Sequence, residues 1–278
     1  MRRVLVLNEF AQGDEVAIPA ERALTVYVDK RELVTLMTLG AHPELLVLGF
    51  LRNQRLVGSR DEVESITVDW EVGAAAVKTR QGISDIEART AKRVVTTGCG
   101  QGSVFGDMMA EVGEIELPKA SITQRQLYGI VDAIRLKEST YKSAGSVHGC
   151  ALFQGEELLI FVEDVGRHNA IDTIAGWMWM QDVDGQAMPS DDKIFYTTGR
   201  LTSEMVIKSA QMGVPIVVSR SGITEMGFSV AQQLGLCTIG RATNKRFLCF
   251  TGADRLKMQP ELVAQRTTPQ DTRHTQTA

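Results

Sequence analysis

Cys99 stands in Thr97-Gly-Cys-Gly-Gln-Gly-Ser103, with glycine on both sides and Gly98, Gly100, Gly102 and Gly106 within nine residues. Glycine contributes no side chain to a core and lets backbone bend freely, so this spacing presents a thiol instead of packing it. An accessible, tunable thiolate is what thiol transfer requires. The other three cysteines have different surroundings. Cys237 and Cys249 lie in apolar, strand-like runs and read as small buried hydrophobes. Cys150 precedes Ala-Leu-Phe and enters a strand, while His148 two residues earlier leaves a His–Cys pair open. No two cysteines form a CxxC pair, and four in 278 residues do not suggest a disulfide framework.

A second chemistry repeats three times. Glu163-Asp-Val-Gly-Arg-His-Asn169, Thr197-Thr-Gly-Arg-Leu-Thr-Ser-Glu204 and Ser219-Arg-Ser-Gly222 each join glycine or a hydroxyl to arginine between a strand-like and a helix-like run. Turns of this kind lie at the carboxyl ends of strands in an α/β sheet, where ligands bind. Each precedes a helix N-terminus, whose free N–H groups favour anions, and arginine offers a planar fork for phosphate. Gly166, Arg167, His168, Gly199, Arg200, Ser219 and Arg220 are therefore candidates for one polyanion site, such as a nucleotide diphosphate. Taken singly, each junction could be only a turn beside a solvated arginine, with a serine as helix cap. His168 could bind the anion, cap the helix or act as an acid. Metal spacing is poor: neither the H-x-E with P-C-x-x-C of zinc deaminases nor H-E-x-x-H occurs. His42 and His274 receive no role.

These residues need elements to hold them. Alternation predicts strands at Ala23 to Val28 and Leu33 to Leu39, and Pro43 opens a buried helix through Leu51. Ile66 to Val72 and Ala74 to Thr79 predict a hairpin around Gly73. Ser121-Ile-Thr-Gln124 is a candidate capping box before Leu127, Ile130, Val131 and Ile134 at helical spacing. From Ala151 on, strands and helices alternate, which predicts a mostly parallel sheet covered by helices. The chain divides into a strand-rich part (1–120) carrying the Cys99 loop, an α/β nucleotide- or cofactor-binding part (121–258) and a polar, disordered tail (259–278).

Composition removes other classes. With 30 basic and 34 acidic residues the net charge is −4, against a general nucleic-acid binder. No apolar run approaches the roughly 20 residues of a membrane span, and the segment after Arg2 and Arg3 is too short for a signal peptide. A cytoplasmic protein without membrane contact is the expectation.

In their order, these motifs resemble the formate dehydrogenase accessory sulfurtransferase family. The matching stretches are His42 to Leu51, Thr97-Gly-Cys-Gly100, Tyr141-Lys-Ser-Ala-Gly-Ser-Val-His148, Glu163 to Asn169, Gly199 to Met205, Val214 to Ser221 and Gly240 to Phe250. The resemblance implies a cytidine deaminase-like α/β fold without its zinc motif, and a homodimer. It implies a sulfurtransferase that takes sulfur from a cysteine desulfurase as a persulfide on Cys99. The acceptor would be the molybdenum cofactor, bis-molybdopterin guanine dinucleotide, of formate dehydrogenase, and a guanine nucleotide would suit the same site. By position, Arg241, Ala242, Thr243, Asn244, Lys245 and Arg246 match the family's cofactor-binding segment. Two departures stand out. Many members carry C-G-x-C-G, but here the second cysteine is replaced by Gly102; and Arg241 and Thr243 stand where an aromatic residue and an arginine are expected. They point to a divergent member serving another molybdenum or tungsten enzyme. The alternatives are a cofactor chaperone without sulfur chemistry, which Gly102 favours, and a nucleotide hydrolase or deaminase, which the missing zinc motif disfavours.

Overall fold

The computed structural model describes residues 1–83, 113, 115–137, 139–181, 188–189 and 191–263. Cys99 with its glycine loop, and the tail from 264 on, lie outside the described residues.

The chain opens with an antiparallel hairpin, β1 (Arg2–Leu7) and β2 (Gly13–Ile18). A four-stranded sheet follows, built from β3 (Arg22–Val28), β4 (Arg31–Thr38), β5 (Val63–Asp69) and β6 (Ala74–Thr79) in the order β4-β3-β6-β5. Asp29 and Lys30 both take positive φ, the geometry that matches a two-residue hairpin to strand twist. Alternation buries Leu24, Val26, Val28, Leu33, Leu36, Ala75 and Val77 against helix α1 (Pro43–Asn53), which starts on its proline as expected.

The second half holds β7 (Ile122–Thr123), α2 (Gln124–Leu136), α3 (Thr140–Ala144), β8 (His148–Gln154), β9 (Glu157–Asp164) and α4 (Arg167–Met180). It continues through β10 (Lys193–Thr197), α5 (Ser203–Gln211), β11 (Ile216–Ser219), α6 (Glu225–Leu234), β12 (Cys237–Thr243), β13 (Arg246–Thr251) and β14 (Leu256–Lys257). Six of these strands form one sheet in the order β13-β12-β11-β10-β8-β9. Helices α4, α5 and α6 cover one face, and α2 covers the other. This is the α/β sheet covered by helices, with a strand-rich N-terminal part, that the sequence implied.

Three details differ from the sequence reading. The sheet is mixed, not mostly parallel: only β10–β11 and β11–β12 are parallel. Parallel neighbours need a helical crossover, and only β10–α5–β11–α6–β12 supplies them. The turns at Gly155 (φ +58°) and Asn244 (φ +51°) instead fold β8–β9 and β12–β13 into hairpins. The capping box sits two residues later: Thr123 Oγ1 accepts from Gln126 N at 3.2 Å and Gln126 Oε1 from Thr123 N at 2.9 Å. Ile122 is committed to pairing with Leu256 in the short β7–β14 ladder. Last, Pro260–Leu262 forms a 3₁₀ turn where the polar tail was expected to begin, and Gln259 N donates to Gln124 Oε1 at 2.8 Å.

Helix α1 crosses α4 at two glycines. A Cβ on Gly49 would lie 1.6 Å from Asp172 O, and one on Gly176 would lie 2.0 Å from Leu45 O. This backbone-to-backbone approach joins the N-terminal sheet to the six-stranded one.

Candidate functional site

The three arginine junctions lie on one edge of the large sheet. β10, β11 and β12 run parallel, and β9 ends beside the start of β8, next to the end of β10. The edge is laced strand to strand. Thr198 N donates to Gly149 O at 2.9 Å, and Thr198 Oγ1 accepts from Gly149 N at 3.0 Å. Arg220 N donates to Thr197 O at 2.9 Å, and Arg241 N to Ser221 O at 2.7 Å. Ser219 is fully buried; its hydroxyl donates to Gly199 O at 2.7 Å and accepts from Ser221 N at 2.9 Å. Arg241 holds a φ of +50°, a costly conformation for a branchless but bulky L-residue, fixed here by that backbone bond.

Strand alternation divides this edge into two sides. Gly149, Tyr196, Thr198 and Arg220 face the α2 side, where they line a cleft of about 170 Å³ with Phe161, Arg135, Lys142, Ala242, Thr243 and Asn244. A pocket for a whole ligand runs to ~300–1,000 Å³, so this cleft admits one moiety of a dinucleotide. Thr243 also lines a second groove, with Arg241, Lys245, Arg246, Tyr128 and Phe247, which continues over the β12–β13 hairpin. Three cations (Arg135, Lys142, Arg220) and the Thr198 hydroxyl suit phosphate; the Phe161 and Tyr196 rings suit a planar base.

The other side of the edge gathers His148, Arg167 and Arg200. Arg167 lies across Gly199: a Cβ there would be 2.8 Å from Arg167 Cδ. Burial, then Arg167 and Arg200, hold His148 below the usual imidazole range. His168 does not reach the edge. It is 2% exposed, with Nδ1 3.4 Å from Glu204 Oε1. Burial, followed by the charges of Lys208 and Arg167, pushes it down to about 2, so it stays neutral. Behind it, Lys208 Nζ meets Asp172 Oδ2 at 2.9 Å, both fully buried, and Asn53 Nδ2 donates to Asp172 Oδ1 at 2.7 Å. Burial raises Asp172 to about 6, while its carboxylate and that of Glu204 outweigh burial and raise Lys208.

The candidate residues thus separate. Arg220, Ala242, Thr243 and Asn244 share the cleft; Arg241, Lys245 and Arg246 take the outer groove; Gly166, Arg167, Gly199 and Arg200 stand on the α4 side; His168 and Ser219 lie beneath. The His–Cys pair does not form a reactive thiol: Cys150 is fully buried, its Sγ donates to Thr197 Oγ1 at 3.3 Å, and burial pushes it up to about 12. Cys237 is buried, as its apolar run implied, while Cys249 is partly buried. Among the described residues no group of three or more His, Cys, Asp or Glu side chains could hold a metal. No helix among them is long and apolar enough to cross a membrane.

Sequence reasoning missed two kinds of residue. Arg135, Lys142, Phe161 and Thr198 complete the cleft, though Lys142 and Thr198 lay within quoted motifs. Asp164 organises the α4 junction from below. It is buried, accepts from the Thr38 hydroxyl, from Leu39 N and Gly166 N at 3.2 Å each, and from Asn169 Nδ2 at 2.9 Å. Burial nonetheless raises its pKa above the carboxylate norm.

Fold and site together define an α/β protein with a small basic cleft along one sheet edge. The comparisons with known proteins agree. The FdhD/NarQ family matches residues 19–257, and the chain belongs to that family. Among curated relatives, the sulfur carrier protein FdhD of Halalkalibacterium halodurans is 30% identical over 252 residues, 90% of this chain and 91% of that one. The sulfur carrier protein FdhD of Bacillus subtilis is 29% identical over 253 residues, 89% and 95% of the two chains. A crystal structure from Desulfotalea psychrophila, provisionally assigned as a formate dehydrogenase accessory protein, superposes with a TM-score of 0.72 at 24% identity, covering 92% of this chain and 98% of that one.

Proposed function

We propose that this protein is a cytoplasmic, homodimeric sulfur carrier for a formate dehydrogenase or related molybdenum or tungsten enzyme. It accepts sulfur from a cysteine desulfurase as a persulfide on Cys99. It then passes the sulfur to a bound bis-molybdopterin guanine dinucleotide. The observation that carries this reading is the cleft: Arg135, Lys142, Arg220 and Thr198 gather on a sheet edge in a chain of the FdhD/NarQ family. Curated relatives over nearly the whole chain are named sulfur carrier proteins.

The residues present fit the nucleotide end of that cofactor. Arg220, Arg135 and Lys142 would hold phosphate oxygens, Thr198 and Asn244 would donate or accept at polar edges, and Phe161 would flank the base. The outer groove with Arg241, Lys245 and Arg246 would take a portion that the cleft cannot contain. The bound group would supply the metal that receives the sulfur. On Cys99, the thiolate attacks the sulfane sulfur of the desulfurase persulfide; the S–S bond there breaks, a new S–S bond forms on Cys99, and the desulfurase thiolate leaves. Glycine on either side of Cys99 is the sequence context that a thiol meeting donor and acceptor in turn would call for.

A cofactor chaperone without sulfur chemistry is the second reading, favoured by Gly102 in place of a second loop cysteine. Complementation of cells lacking their own carrier separates the two. Wild type restores formate dehydrogenase activity under either reading. Cys99→Ala fails if sulfur transfer is the function and succeeds if the chaperone reading is right.

A further inference from the structure

β1 reads Arg2-Arg-Val-Leu-Val-Leu7, four apolar residues in succession. Successive strand residues point to opposite faces, so such a run is made for burial on both sides. The face with Val4 and Val6 is half-buried, and the other is open to solvent. Leu5 and Leu7 are 80% and 77% exposed, Phe10 at the turn is 73% exposed, and Val16 and Ile18 on β2 are also exposed. β1 and β2 form a sheet of two, so among the described residues each keeps a free edge. A lone two-stranded hairpin is marginal in water, and a flat apolar edge is a template for another strand.

We propose that this hairpin is the self-association surface of the protein: β1 pairs antiparallel with β1 of a second copy, giving a four-stranded sheet across the two-fold axis. The proposal rests on the homodimer in the reading above and assigns its surface. The occupant is a second copy because β1 is complementary to itself. Pairing about its centre brings Val4, Leu5 and Val6 of the two copies together. It places Arg2 and Arg3 of each against the Leu7–Asn8 end of the other, so like charges stay far apart. β2 is less suited, since registers centred on it bring the Asp14–Glu15 pairs of the two copies close together, and like charges near one another on a sheet are destabilising. With β1 used, Asp14 and Glu15 lie on the outer strand of the new sheet, where charge blocks further growth. The contact is isologous and closes at two copies. β2 also packs on α3, which carries Lys142 of the cleft, so the joint lies one element from the candidate site.

Light scattering after gel filtration, at about 100 μM chain to exceed the micromolar dissociation expected of a small interface, tests this. Wild type should show twice the 30.5 kDa chain mass, and Leu5→Glu/Leu7→Glu should show a single chain mass with an unchanged far-UV spectrum. Leu5→Cys should additionally give a dimer with a short bismaleimide that wild type does not give. A wild type of single chain mass overturns both the dimer and its surface. A double variant that stays dimeric, or a Leu5→Cys that does not cross-link, overturns the hairpin contact and leaves the dimer standing.

Discussion

Arg167 and Gly199 act as one unit, because the arginine stem occupies the space that a side chain at 199 would need. Gly199→Ala should shift Arg167, which stands on the α4 side of the edge, and leave GDP binding in the α2-side cleft changed by less than about twofold. Stability should fall by only about 1 kcal/mol, since the atom displaced belongs to a flexible side chain. Calorimetric titration and urea unfolding check the two halves of that statement. Arg220 contacts the cleft directly, so Arg220→Ala should lower GDP affinity about tenfold, the worth of one charge-assisted hydrogen bond. Its remaining binding should be less sensitive to salt than that of wild type. At this scale residue type and neighbours pointed to Arg220, whereas Arg241 and Asn244 came from the family resemblance alone. Phe161 was not legible, because inside an apolar strand nothing marks the ring that ends at a cleft. Nor was Asp164, whose partner Thr38 lies 126 residues away in the chain. A hub made of long-range hydrogen bonds leaves no local pattern.

Between elements, the α1–α4 crossing admits no Cβ on either helix. Gly49→Ala or Gly176→Ala should force the helices apart and cost about 3 kcal/mol or more, read as a lowered urea midpoint. The buried polar groups beneath α4 and α5 give opposite pH responses. His168 has its pKa depressed from 6.5 to about 2, so the unfolded chain takes up that proton first. Its contribution is therefore full above pH 6.5 and is lost as pH falls, at up to about 1.4 kcal/mol per pH unit. Asp172 is raised from 3.8 to about 6, so between those values the folded state takes the proton first and stability gains as pH falls. Urea midpoints at pH 7 and pH 5 should show His168→Gln improving relative to wild type on acidification, and Asp172→Asn worsening. The elements themselves were largely legible, since proline at a helix start and strand alternation are local signals. The sheet's direction was not: the strand-like runs on either side of Gly155 and of Asn244 have no helix between them, and such tight turns make antiparallel pairs.

For the whole molecule, the charge of −4 conceals a local concentration of Arg135, Lys142, Arg220, Arg241, Lys245 and Arg246 around one sheet edge. Such an edge binds by mass action, so GDP at about 100 times its dissociation constant should add about 2.7 kcal/mol to wild-type stability. The gain should fall to about 1.4 kcal/mol, roughly half, in Arg220→Ala at the same concentration. The edge was anticipated as one rim, whereas the sheet's alternation gives it two sides, with the cleft on the α2 side and Arg167 and Arg200 on the α4 side. The thiol that would deliver sulfur to it, Cys99, was singled out by its glycine neighbours and by the family resemblance. The most direct test of the account is intact-protein mass spectrometry after incubation with an active cysteine desulfurase and cysteine. Wild type should gain a reducible ~32 Da per sulfur atom, and Cys99→Ala should gain none. No gain on wild type, or an equal gain on the variant, would contradict the assignment of Cys99 as the carrier.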